Sequence, residues 1–196
     1  MDVSFQAQQV IENINYVIFW LAVFLLAWNA YFLAFNKGVP NIRTAPAIRN
    51  KIIEFLKKDS EKRGKKTYNI IDLGSGNGLL TREIARHLPH AQVTGIETSK
   101  TAFAWSVKMR DQCKIKNLEY KRADFFAYDM SEVDAVVMFQ GVHFMEKIGQ
   151  MLHKKLKKGT LVCSNKFALG DGWKPDETLN VRTLYPFQKK LYIYYK

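Results

Sequence analysis

Apolar residues open the chain in one long stretch and then give way to short blocks separated by polar turns. Between Glu12 and Lys37 lie 24 residues without a formal charge, including Tyr16-Val-Ile-Phe-Trp-Leu-Ala-Val-Phe-Leu-Leu-Ala-Trp28 and Tyr31-Phe-Leu-Ala-Phe35. At about 1.5 Å per residue, a helix of that length covers the roughly 30 Å hydrocarbon core of a bilayer. The run is apolar on every face, unlike the one-sided helix that a soluble domain lays on its surface. The pattern predicts a short tail over residues 1–13 and a transmembrane helix over 14–36. Asn15 and Asn29 are polar costs at that depth, and Trp20, Trp28 and Tyr31 suit the interfaces. A buried core helix is the competing reading. Asp2 and Glu12 precede the run and no Ala-x-Ala site closes it, so it is expected to be kept rather than cleaved as a signal.

Beyond the run, Val39 to Pro46 reads as an extended linker, because each proline disfavours helix at its predecessor. A helix then begins with Thr44 as cap and Pro46 in the first turn. Its apolar face is Ile48, Ile52, Ile53, Phe55 and Leu56, and the charged run Lys57 to Lys66 is expected to break it. Residues 37–66 are thus a basic linker and helix, and 67–196 a separate domain. From Tyr68 onward strand-like and helix-like stretches alternate: Tyr68 to Leu73, Leu79 to Leu88, Gln92 to Glu97, Thr101 to Cys113, Leu118 to Phe125, Val133 to Phe139, Phe144 to Leu156 and Thr160 to Asn165. Such alternation predicts an α/β fold with a parallel sheet and helices on both faces. Residues 126–132 are too few for a crossover helix. Thr178 to Leu184 and Lys190 to Tyr195 can close the sheet as an antiparallel hairpin.

Charge sharpens this picture. The formal net charge is +12, and residues 37–66 hold ten Lys and Arg against three acids, hence +7. By the positive-inside rule that flank stays cytoplasmic, or on the equivalent side of an organelle, and it faces anionic headgroups. The absence of an Arg-rich presequence tilts the expectation toward a bacterial inner membrane, with an organellar one as alternative. Cys113 and Cys163 stand far apart without clustered histidines, so neither a disulfide framework nor a metal site is expected.

The candidate chemistry lies at Asp72-Leu-Gly74-Ser75-Gly76-Asn77-Gly78, between a strand and a helix. Glycines allow a tight turn and close approach of a ligand, and amides at the following helix terminus are donors to an anion. Glu97 closes the next strand, where an acid in a doubly wound sheet projects into the ligand crevice. Each acid also has a plainer role open to it: Asp72 as a helix cap, Glu97 as a solvated strand end, Asp124 as a turn residue. A dinucleotide-binding Rossmann domain is the main competitor.

Together, Ile70 to Gly78, Gly95-Ile-Glu97, Ala123-Asp124-Phe125-Phe126 and Val133-Asp-Ala-Val-Val137 resemble successive motifs of the class I S-adenosylmethionine-dependent methyltransferases. The resemblance implies a Rossmann-like doubly wound seven-stranded sheet of order 3-2-1-4-5-7-6. It assigns Asp72 and the Gly74 to Gly78 loop to the methionine portion of S-adenosyl-L-methionine, Glu97 to the ribose, and Asp124 with Phe125 to the adenine, and Thr98 is a further cofactor-binding candidate. Gly38-Val-Pro40, Phe139-x-Gly-Val142, Leu156-Lys-Lys-Gly159 and Val162-Cys-Ser-Asn-Lys-Phe167 are similar to motifs of the membrane-anchored protein lysine methyltransferases that act on the ATP synthase c-subunit and the adenine nucleotide translocase. The implied substrate is a lysine of a membrane-embedded or membrane-proximal protein. A lipid or quinone acceptor, or a non-catalytic cofactor-binding module, stays open. Acceptor-side candidates are Gln140 as an acceptor from the amine, His143 as a base, and Asn165, with Phe144 or Phe167 as walls. No Asn/Asp-Pro-Pro-Tyr sequence follows Phe139, which lowers the expectation of a nucleic-acid substrate. Tyr185, Phe187, Tyr192, Tyr194 and Tyr195 are expected to pack as strand residues before they line an acceptor surface or a membrane interface.

Overall fold

The computed structural model describes residues 3–35, 42–170, 172–185 and 187–196. The segment 36–41, with Lys37 and the first part of the expected linker, lies outside the described residues. Two compact units divide the chain, residues 1–41 and 42–196.

The described residues of the first unit form one helix, α1 (Val3–Phe35), so residues 3–13, expected as a tail, are helical. Its stretch Gln8–Tyr31 is 24 residues long, has a mean hydropathy of 1.9 and buries none of its surface in the protein, so by length and composition it can cross a membrane. Asn29 donates from Nδ2 to the carbonyl of Leu25 at 2.8 Å, which satisfies its amide within the helix. Tyr16 and Phe19 meet Trp20 edge-on, and Phe24 stacks on Trp28.

The second unit begins with α2 (Pro46–Arg63) and continues β1 (Tyr68–Leu73), α3 (Leu79–His87), β2 (Ala91–Glu97), α4 (Lys100–Gln112), β3 (Leu118–Arg122), β4 (Ala135–Met138), a 3-10 turn (Val142–Phe144), α5 (Met145–Lys155), β5 (Leu161–Asn165), β6 (Glu177–Asn180) and β7 (Lys190–Tyr195). The strands form one sheet of order β3-β2-β1-β4-β5-β7-β6. The first five are mutually parallel, and β7 inserts antiparallel between β5 and β6. This is the α/β fold and strand order expected from the sequence.

Period-two alternation sorts the strand residues between two cores. Ile70, Val93, Ala135 and Val137 pack with Ile48, Ile52 and Leu56 of α2 and Leu80 and Ile84 of α3. Ile71, Leu73, Val136 and Met138 pack on the other face with Ile148 and Leu152 of α5 and with Met130 and Val133 of the β3–β4 connection. That connection is a loop, as its length predicted. Fully burying an aliphatic side chain contributes about 1.5–3 kcal/mol, so the two faces supply most of the domain's cohesion.

Two local expectations are corrected. Thr44 does not cap α2: the cap position is Ala45, whose side chain cannot accept, and the N–H of Ala45 instead donates to Gln188 Oε1 at 2.7 Å. The charged run also does not end α2 at Leu56. Lys58 pairs with Glu54 and Arg63 with Asp59 one turn apart, Asp59 and Ser60 turn inward, and Gly64 at φ +57° closes the helix in the left-handed region. Helix α2 therefore runs roughly 27 Å, from Ala45 at the carboxyl-terminal edge of the parallel strands to the opposite edge.

Candidate active site

The loop after β1 requires its glycines: Gly74, Gly76 and Gly78 all adopt positive φ, at +71°, +55° and +72°. Side chains rarely tolerate that region. Space is also denied: a Cβ on Gly74 would lie 2.0 Å from the Gln140 amide nitrogen, and one on Gly78 would lie 2.1 Å from the Tyr120 hydroxyl. The loop is held by Gly78 N–H donating to Ser75 O, and by Ser75 N–H donating to Ile96 O on β2, both at 2.9 Å. Asn77 Oδ1 accepts from the N–H of Leu79, the first residue of α3.

Asp72 and Glu97 flank this loop from adjacent strands. Asp72 is buried, and Thr81 on α3 donates its hydroxyl to Asp72 Oδ2 at 2.8 Å. Burial pushes the Asp72 carboxyl up to about 7, the Thr81 hydrogen bond opposes this, and the Glu97 charge adds to it. Glu97 accepts from two backbone amides, Gly76 N–H through Oε2 and Ser99 N–H through Oε1, each at 2.8 Å. Each carboxylate oxygen can accept a second bond, so capacity for hydroxyl donors remains. Ser75 Oγ is buried without a partner. A paired acidic cleft with an unanswered hydroxyl beside a glycine cradle suits a ligand that carries a cation and sugar hydroxyls.

The remaining expected residues sit around this edge. Thr98 is exposed just past β2. Asp124 is exposed and its Oδ1 accepts from Phe126 N–H at 2.9 Å, which makes the turn that ends β3 early. Phe125 lies half-buried against Phe126, their ring centroids 4.7 Å apart. Gln140 donates from Nε2 to Leu73 O at 2.6 Å and so clasps the end of β1, while its Oε1 is not used in that bond. His143 is exposed in the 3-10 turn. Asn165 ends β5 and is buried.

The orientation of the Asn165 amide follows from its neighbours. Ala45 N–H can only donate and the carbonyl of Arg43 can only accept, so Gln188 places Oε1 on the first and Nε2 on the second, at 2.7 and 2.8 Å. Asn165 must then turn Nδ2 toward Gln188 Oε1, at 3.0 Å. Its Oδ1 is left buried and without a partner. A buried carbonyl oxygen in that state costs about 1–3 kcal/mol.

Sequence reasoning missed three residues here. Thr81 gives no signal beyond its place one turn into α3. Tyr120 of β3 stands opposite Gly95 of β2, crosses the space that a Gly95 side chain would fill, and donates its hydroxyl to Gly78 O at 3.0 Å. A glycine inside a strand is a known sign of such close approach. Gln188 binds residues more than 140 positions away, and no local pattern announces it.

The sequence profile of the family described as the ANTKMT methyltransferase domain matches residues 72–177. A protein-lysine N-methyltransferase of Saccharolobus islandicus (strain REY15A) is 25% identical over 150 residues, which is 76% of this chain and 89% of that protein. Among solved structures, an RNA methyltransferase from Salinibacter ruber in complex with S-adenosyl-L-homocysteine superposes with a TM-score of 0.65 at 24% identity, covering 79% of this chain and 93% of that one. WbdD superposes with a TM-score of 0.58 at 15% identity over 77% of this chain and 40% of that one. These two likenesses are of fold.

Proposed function

Because the chain belongs to the ANTKMT methyltransferase domain family and is a methyltransferase dependent on S-adenosylmethionine, we propose that it methylates the side-chain amine of a lysine in a membrane or membrane-proximal protein. The name of the Saccharolobus relative supports lysine as the acceptor. The apolar helix α1 supports a membrane setting, because a tether confines the search and raises effective concentration at the bilayer. A single pass with the catalytic domain on the cytoplasmic side follows from the basic flank.

The residues present fit the cofactor. Asp72 and the glycine loop would hold its amino-acid portion, with the Asp72 carboxylate facing the ammonium, and Glu97 would accept from the ribose hydroxyls. Asp124 and Phe125 would border the adenine. When bound, S-adenosylmethionine supplies an electrophilic methyl group on a sulfonium.

This chain's own residues then have to present a neutral amine in line. A lysine has an ordinary pKa near 10.4, and desolvation at the site favours the uncharged form. The observation that carries this reading is Asn165 Oδ1, a buried acceptor without a partner on the edge that also holds Asp72 and Glu97. It accepts an N–H of the acceptor amine and so aims the nitrogen lone pair, with Gln140 Oε1 as a second acceptor. Phe144 and Phe167 wall the alkyl chain, and His143 at the rim receives the departing proton or passes it to water.

The test is to incubate full-length protein with methyl-labelled cofactor and membranes from cells that lack the gene. Label recovered as methyl-lysine in protein is the expected result. Label only in the lipid extract would point to a lipid or quinone acceptor, and binding without any S-adenosylhomocysteine release would point to a non-catalytic module.

A further inference from the structure

Most large apolar side chains of residues 42–196 are inside, yet a cluster is not. Leu184 is fully exposed and Phe187 is 76% exposed. Tyr185, Ile42, Val142 and Phe144 are exposed as well. The expected packing of the tail aromatics therefore divides: Tyr194 is buried in the second core and Tyr192 packs against it, whereas Tyr195 is exposed at the opposite edge and Tyr185 and Phe187 stand out from the β6–β7 connection.

Topology brings these residues to one edge. Strand β6 ends at Asn180 and β7 starts at Lys190, and these two residues pair with each other. Leu191 of β7 pairs with Asn165, the last residue of β5. The 181–189 connection thus emerges where the parallel strands end, the edge that holds the methyl-donor site. The 3-10 turn with Val142 and Phe144 follows β4 at the same edge. Ile42 is brought there by Gln188, which grips Arg43 and Ala45 and also meets Asn165.

The segments that carry Ile42, Leu184, Tyr185 and Phe187 are basic, whereas the acids of this edge, Asp72, Glu97 and Asp124, belong to the donor site. Residues 42–45, 165–170 and 181–190 contain Arg43, Lys166, Arg182, Lys189 and Lys190 and no acid. Lys166 lies over the rings of Phe167 and Phe187, at 4.7 and 5.8 Å from their centroids. Cations interleaved with exposed aromatics and leucine are the composition that sits at the headgroup layer of an anionic bilayer. By contrast, the lysines at the far end of α2 stand at the opposite edge, and Lys65 there is paired with Asp134.

We propose that the carboxyl-terminal edge of the sheet, through Leu184, Tyr185 and Phe187 and the basic residues beside them, docks on an anionic lipid surface. The proposal rests on the membrane reading of α1 given above and sharpens it. Six residues lie between Phe35 and Ile42, and the seven chain steps extend to at most about 25 Å, so the length of chain allows a bilayer that holds α1 to reach Ile42. Docked this way, the methyl-donor site opens at headgroup level, and the acceptor class narrows to lysines at the bilayer surface of an embedded protein.

The experiment uses the full chain with Cys113→Ser, reconstituted into lipid vesicles that contain no other protein. Leu184→Cys, and separately Lys158→Cys at the opposite edge, carry an environment-sensitive fluorophore, and a headgroup-level nitroxide lipid is the quencher. The Leu184 label is expected to shift to the blue and be quenched several-fold more with about a third phosphatidylglycerol than with phosphatidylcholine alone, while the Lys158 label stays unchanged. Lys189→Ala with Lys190→Ala should halve that quenching or more. A Leu184 label that remains in water while the protein resists alkaline carbonate extraction overturns the docking and leaves the span intact. Quenching in protein that carbonate does extract keeps the docking and removes the span. A label shielded only when native membrane proteins are added shows a protein partner and also overturns the proposal.

Discussion

Asp72 and Asp134 are buried aspartates near opposite ends of the adjacent strands β1 and β4, and their surroundings push their acidity in opposite directions. Asp134, at the amino-terminal edge, also feels burial that would raise its pKa, but the N–H of Asn69 together with Lys65 and Lys157 holds it below the ordinary value. Lys65 Nζ lies 2.5 Å away, Lys157 Nζ 3.3 Å and Arg63 3.8 Å. Nearby, Asp59 receives both Arg63 and the hydroxyl of Tyr68, and Arg63 also donates to the carbonyl of Gly159. Asp72 has the hydroxyl of Thr81 and a second carboxylate as its neighbour, and it is held near neutrality. Where the domain is closed, charge is answered from within the chain. At the other edge Asp72, Ser75 Oγ and Asn165 Oδ1 are left for something outside it, as at functional sites in general.

The largest expected contrast lies in cofactor affinity. Asp72→Ala and Glu97→Ala should each weaken S-adenosylmethionine binding by about 100-fold, or about 2.7 kcal/mol, with the fold retained. Asp134→Asn should leave affinity within about twofold, and calorimetry on the three variants checks both statements. In stability the order reverses. Asp134→Ala removes the acceptor of Asn69 N–H and the partner of Lys65 and Lys157 and should cost about 1–3 kcal/mol in denaturant unfolding. Because the Asp134 pKa is lowered in the folded state, its contribution is present above the ordinary carboxylate range and is lost as pH falls through the depressed value.

Asp72 works the other way. Its pKa is raised from 3.8 to about 7, so between those values the folded state binds more protons than the unfolded one. The stability of cofactor-free protein therefore declines as pH rises through that window. Asp72→Asn should accordingly raise unfolding free energy at pH 8 by about 2 kcal/mol while it damages cofactor binding. The smallest effect is expected for Tyr120→Phe, which loses one hydrogen bond to Gly78 O but keeps the ring against Gly95. A loss of about 1 kcal/mol in stability, with a milder drop in cofactor affinity than at Glu97, would fit.

The parallel sheet was legible in the sequence because short apolar runs at Tyr68, Gln92, Val133 and Thr160 alternate with helix-like stretches. The glycine loop was legible for a related reason: three glycines at positive φ are a local demand of the backbone. Helix α2 was misjudged because Asp59 and Ser60 look like surface residues until Tyr68, Arg63 and His90 come to meet them across the fold. The contacts around Asn165 and beneath the glycine loop were least legible: Gln188 and Tyr120 act through partners 143 and 42 positions away, and no local periodicity encodes such contacts.

The most direct test is calorimetric titration of S-adenosylmethionine into the full-length protein and into Asp72→Asn across pH 5.5 to 7.5. If Asp72 must be a carboxylate to hold the cofactor's cation, wild-type affinity rises with pH by up to about tenfold per unit below its pKa and levels off above about 7, while the variant binds weakly with little pH dependence. Equal affinity and an equal pH profile in the two proteins would contradict the assignment of the open edge to the methyl donor.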